Sequence, residues 1–142
     1  MAKNSPAEKA APSTEESKPL GRKLALLAAQ AGIDKKALGI EIIDVVGRVD
    51  YADYLVLMTG TSDRHCAAIA RGVEEDLTKA GHKALSVEGL PQANWVLIDL
   101  FDIVVHVFSE DSRNLYDLSG LWIDASRIPV PTRTASTPQF QA

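Results

Sequence analysis

The chain has 142 residues, 46% hydrophobic and 24% charged, with a formal net charge of −4, enough for one domain with a core plus short tails. No apolar run approaches the roughly 20 residues needed to span a bilayer. The N-terminus has no apolar stretch before Leu24 and carries Glu8, Glu15 and Glu16, unlike a secretory signal or an acid-poor transit peptide. A cytoplasmic location is expected. The one cysteine, Cys66, excludes an internal disulfide and a cysteine-based metal cluster and reads as a small buried residue on a helix.

Residues 1–19 are rich in Ala, Pro, Ser, Glu and Lys, with charges that sum to zero, and are expected to form a flexible tail. Leu20–Ala31 places Leu20, Leu24, Leu27, Ala28 and Ala31 at helical spacing before Gly32. Ile40–Val46 is a β-branched run closed by Gly47, a strand signal. Asp53–Thr59 is nearly continuous in apolar residues and reads as a central strand buried on both faces. Thr61-Ser62-Asp63 then offers helix caps, because each side-chain oxygen accepts from an orphan backbone N–H. The helix that follows turns Cys66, Ile69, Ala70, Val73 and Leu77 inward and ends near Ala80-Gly81.

A short strand is expected at Ala84–Val87, then a hairpin of Trp95–Leu100 and Ile103–Phe108. In the first hairpin strand Trp95, Leu97 and Asp99 share one face, with Val96, Ile98 and Leu100 on the other. The hairpin turn, Leu100-Phe101-Asp102, lacks the glycine that tight turns favour. Ser109 should cap a short helix to Leu118, and Pro129–Ala142 reads as a second flexible tail. The order is α-β-β-α-β-β-β-α, an α/β (α+β) domain over residues 20–128 with a mixed five-stranded sheet flanked by helices.

Residues 81–124 set Lys83 and Arg113 against Glu88, Asp99, Asp102, Glu110, Asp111, Asp117 and Asp124, a net −5. That is the opposite of the basic stripe that nucleic-acid binding needs. It suits a basic protein partner, and a solvated acidic face kept for solubility explains it equally well.

Chemistry finds little support. The strand–Gly60-Thr61-Ser62-Asp63–helix junction resembles a nucleotidyl transferase site, but two-metal chemistry also needs paired carboxylates. Asp63 is the one carboxylate beside that turn. No phosphate-binding or nucleophile motif occurs, so the junction reads first as a well-capped helix and second as an anion site. His65, His82 and His106 lack metal-ligand spacing. His106 shares a strand face with Val104 and Phe108, as a hydrogen-bonded half-buried histidine or as part of a contact surface. Trp95, Tyr116 and Trp122 belong to the residue types that anchor interfaces; closing the core is the other reading, favoured for Trp122 and even for Trp95 and Tyr116. No enzyme activity, cofactor or metal is expected.

The strings Asp53-Tyr54-Leu55-Val56-Leu57-Met58-Thr59-Gly60-Thr61-Ser62-Asp63-Arg64-His65 and Glu88-Gly89 are followed by Trp95-Val96-Leu97-Ile98-Asp99 and Asp102 through Phe108. Arg113-Asn114-Leu115-Tyr116-Asp117-Leu118 and Leu121-Trp122 complete the set. In this order, over about residues 20–125, the chain resembles the ribosomal silencing factor family, also called the Iojap or RsfS family. The resemblance implies a five-stranded mixed sheet distantly like a nucleotidyl transferase core. It also implies binding to ribosomal protein number fourteen of the large subunit, steric blocking of subunit joining, lowered translation, and a role in late large-subunit assembly. The contact residues it implies are Trp95, Leu100 and Tyr116, with Asp102, His106 and Arg113 after them. The family pattern has glycine where Phe101 stands and an acidic residue where Ser119 stands. Self-association of the free protein through the same hairpin surface is a compatible reading.

Overall fold

A computed structural model of the chain describes residues 10–90 and 92–130. Its centre is β2 (Tyr54–Gly60), buried along its whole length, as its unbroken apolar sequence requires of a strand covered on both faces. β1 (Leu38–Asp44) pairs with it antiparallel, and β5 (Ile103–Ser109) pairs with it in parallel. β4 (Trp95–Asp99) lies antiparallel to β5, and β3 (Ser86–Glu88) borders β4. A sixth strand, β6 (Arg127–Ile128), pairs with β1. The sheet order is β3-β4-β5-β2-β1-β6.

The expected mixed sheet is therefore present with six strands, not five. A two-residue strand has no alternation to detect, so β6 left no sequence signal. Both edges are very short, which limits the unpaired backbone offered to other chains.

Two helices cover one face. α1 (Ala10–Asp34) begins ten residues ahead of the expected start at Leu20; its early Ala, Glu and Lys residues are good helix formers, and Pro12 falls in the first turn, where its missing N–H breaks no helical bond. The other expectations for the tails, over residues 1–9 and 131–142, lie outside the described residues. α2 (Asp63–Lys79) is capped by Ser62, whose side chain accepts from the His65 N–H. Leu24, Ala28, Cys66, Ile69, Val73 and Leu77 pack on the sheet residues Val56, Met58, Val96, Ile98, Val105 and Val107.

The other face carries a smaller core of Ile43, Leu55, Leu57, Val104 and Phe108, with Trp95, Leu97, Leu118 and Trp122 packed partly buried around it. The predicted alternation along β4 and β5 thus holds, with odd and even residues of β4 in different cores. α3 (Glu110–Tyr116) is capped by Ser109, and Asp117, in the left-handed region, ends it and caps α4 (Leu118–Leu121). No helix among the described residues is long and apolar enough to cross a membrane.

Candidate contact face at Trp95 and Tyr116

Three of the six residues singled out from sequence converge. Trp95 starts β4 opposite Phe108 of β5, so its ring lies 5.6 Å from that of Phe108 between centroids and 4.5 Å from that of Tyr116 on α3. Such tilted pairs suit the quadrupoles of the rings. The Trp95 Nε1–H donates to Nδ1 of His106 at 3.1 Å. His106 is therefore neutral, with its proton on Nε2, and burial lowers its pKa from 6.5 to about 4. The histidine is 8% exposed while Tyr116 is 53% exposed. Thus His106 fixes the indole from below, and Trp95 and Tyr116 present the surface.

Gly89 lets the chain pass close to Trp95: its φ is +93°, and a Cβ there would sit 2.2 Å from the Trp95 carbonyl oxygen. An apolar groove runs beside it, lined by Glu88, Gly89, Trp95 and Leu97.

Arg113 stands next to this face but is committed internally. Its Nη1 donates to the Gly39 carbonyl at 2.5 Å and to Thr59 Oγ1 at 2.9 Å, and its Nη2 to Glu41 at 2.6 Å. Its guanidinium also lies 5.7 Å from the Phe108 ring centroid, within cation–π range. Glu41 accepts further from Ser119 Oγ (2.8 Å) and Arg127 Nε (3.1 Å). Burial works against the Glu41 charge, but the Ser119 hydroxyl and the two arginines outweigh it and hold the carboxyl below its ordinary value. The serine at 119 thus serves as a donor to Glu41, where an acidic residue would bring a second negative charge.

Leu100 and Asp102 lie elsewhere. Leu100 is buried in the helix-side core at the far end of β4, five residues or about 16 Å along the strand from Trp95. Asp102 uses its carbonyl to accept from Asp53 N–H at 2.8 Å, at the same far end.

The Gly60–Asp63 junction is knitted into the scaffold. His65 Nδ1 accepts from the Thr61 N–H at 2.9 Å, which leaves Nε2 to donate to the Lys35 carbonyl at 2.8 Å. Gly60 is required because a Cβ there would meet Cys66 at 2.7–2.8 Å. Cys66 is buried, and burial raises its thiol pKa. A cavity of about 490 Å³ beside the junction is lined by Glu110 and Asp111 as well as Arg113, a poor setting for a phosphate. Among the described residues no three His, Cys, Asp or Glu side chains gather as a metal site.

The sequence model of the family described as "Ribosomal silencing factor during starvation" matches residues 16–142. The chain belongs to the ribosomal silencing factor family. It is 42% identical over 99 residues to the ribosomal silencing factor of Bacillus subtilis, spanning 70% of this chain and 84% of that protein. A crystal structure of a protein from Chromobacterium violaceum superposes with a TM-score of 0.70 at 30% identity, over 81% of this chain and 95% of that one. The mouse protein named "Mitochondrial assembly of ribosomal large subunit protein 1" is 29% identical over 91 residues, 62% of this chain and 40% of its own length.

For this family member, sequence reasoning missed Glu41; it set Leu97 on the Trp95 face and Gly89 in a family string without giving either a part in the site. Glu41 had one available signal, a lone carboxylate inside a β-branched strand, where a charge must find partners. Those partners lie 72 and 86 residues away, beyond any local pattern.

Proposed function

We propose that this silencing factor lowers translation by seating its Trp95–Tyr116 face on the large ribosomal subunit, through ribosomal protein number fourteen, so that the small subunit cannot join. The observation that carries this is the aromatic pair itself: a half-exposed Tyr116 packed at a tilt against a Trp95 whose N–H is already satisfied by His106. Anchors held in place before contact lose little entropy on binding and make effective interface centres. Trp95, Leu97 and Tyr116 make the contact; His106 and Arg113 hold them.

The mechanism needs no reaction, cofactor or metal. A standard footprint of about 800 Å² per partner is ample to exclude a competing surface. The net −5 over residues 81–124 favours encounter with a basic ribosomal protein, an effect that salt should weaken. The name of the mouse relative fits a further part in large-subunit assembly, and the bacterial relatives fit action in the cytoplasm. The free protein would use the same face to pair with itself.

Cosedimentation with purified large subunits tests the reading. The full chain should travel with them, and Trp95→Ala or Tyr116→Ala should not, while circular dichroism shows both variants folded. Normal cosedimentation of both variants would show the face to be wrongly assigned.

A further inference from the structure

At the far end of the sheet from Trp95, the loop over residues 46–53 and the hairpin turn enclose a groove of about 580 Å³. Three of its lining side chains are large, apolar and outward: Tyr51 is 55% exposed, Leu85 67% and Phe101 71%. Isolated exposed apolar residues are ordinary, but three around one groove mark an interaction surface. Four carboxylates, Asp50, Asp53, Asp99 and Asp102, line the same groove, and its lining contains no lysine, arginine or histidine. We infer that this groove is a second docking surface, which takes a basic segment of a partner protein that alternates Arg or Lys with apolar side chains.

The backbone supports this assignment. Phe101 has φ +74°, the Asp102 N–H donates back to the Leu100 carbonyl at 2.8 Å, and the Phe101 N–H donates to Asp99 Oδ1 at 2.9 Å. That is a γ-turn of the strained hand, adopted by a bulky residue that disfavours it. Its side chain meets no core and stands over the groove, so the strain is held at a place where an exposed ring is displayed. The carboxylates are also only partly compensated: burial and then the charge of Asp53 push the Asp102 carboxyl up, and His82 offsets this only in part. A cation arriving in the groove relieves that repulsion. Arginine fits best, because its guanidinium pairs with carboxylates and stacks on aromatic rings such as Tyr51 and Phe101.

Other occupants fit less well. A second copy docked by the same patch would set the four carboxylates against their own equivalents. The C-terminal end of the described chain leads away, since Arg127 pairs with Ile43 and Ile128 with Ile42, taking β6 toward the opposite end of β1.

The test is an amide chemical-shift titration of the ¹⁵N-labelled full chain with a blocked hexapeptide alternating arginine and leucine. Hexa-arginine and an alternating glutamate–leucine peptide serve as controls. The arginine–leucine peptide should shift Tyr51, Leu85 and Phe101 and bind more tightly than either control. Binding should weaken about tenfold in the Leu85→Ser/Phe101→Ser variant, and likewise in Asp50→Asn/Asp99→Asn, which keeps the apolar side chains. Trp95→Ala should bind the peptide as wild type does, which separates this surface from the ribosome-contact face. Equal affinity for hexa-arginine, shifts centred on Trp95 and Tyr116, or indifference to both double variants would overturn the inference.

Discussion

Lowering the pH from 7 to 4 probes the packing of the Trp95 face through His106. Burial lowers the pKa of this ring from 6.5 to about 4, and its Nδ1 must stay unprotonated to accept from Trp95. Between those two pH values the unfolded chain binds the proton and the folded chain does not, so stability rises with pH across the window. The contribution is fully present above pH 6.5, falls as the pH drops toward 4, and levels off below that. At roughly 1.4 kcal/mol per pH unit the loss is about 3 kcal/mol, a large share of the 5–15 kcal/mol that typically holds a domain together.

Urea unfolding at several pH values would measure it, followed by tryptophan fluorescence. Comparison with His106→Gln isolates the residue, because the amide oxygen still accepts from Trp95 while nothing there titrates. The raised Asp102 and the lowered Glu41 act in both proteins and cancel in the difference. Wild type should lose about 3 kcal/mol more than the variant between pH 7 and 4. Parallel losses, or a His106 ring that titrates near its ordinary pKa by NMR, would refute the account of this histidine.

Three further outcomes follow from the geometry. Phe101→Gly should raise stability by about 1 kcal/mol, since release of left-handed strain outweighs the added freedom of glycine; thermal melting would show it as a higher Tm. Gly89→Ala should cost about 2 kcal/mol or more, because its Cβ would overlap the Trp95 carbonyl at a φ that alanine resists, and it should loosen Trp95 as seen in the fluorescence maximum. Glu41→Ala should cost about 2–3 kcal/mol by chemical denaturation, leaving Arg113 and Arg127 half-buried without their shared carboxylate.

Much of this architecture was legible because its signals are local. The unbroken apolar run of β2, the alternation along β4, a helix cap within Thr61–Asp63 (Ser62 in the structure) and the cap Ser109 each follow from a few neighbouring residues, and each stands where expected. The hairpin of Trp95–Leu100 with Ile103–Phe108 is present, and its register sets Trp95 opposite Phe108. What escaped depends on distance along the chain. Arg113 entered as a contact residue implied by the family resemblance but sits among Gly39, Thr59 and Glu41, a meeting set by sheet order. Leu100 and Trp95 were grouped by the family resemblance alone; the strand alternation already set them on opposite faces, and the structure keeps them there at opposite ends of the strand. The missing glycine at Phe101 flagged the turn, but its γ-turn geometry and the groove beneath it needed the loop over residues 46–53 in place.

Subunit joining measured by sucrose gradient tests the central claim most directly. Purified large and small subunits are mixed with the full chain, or with Trp95→Ala/Tyr116→Ala, and the joined fraction is read from the profile. The account predicts that the wild-type chain leaves the subunits apart and travels with the large one, while the double variant lets them join. Undiminished joining with the wild-type chain bound to the large subunit, or equal blocking by the folded variant, would contradict it.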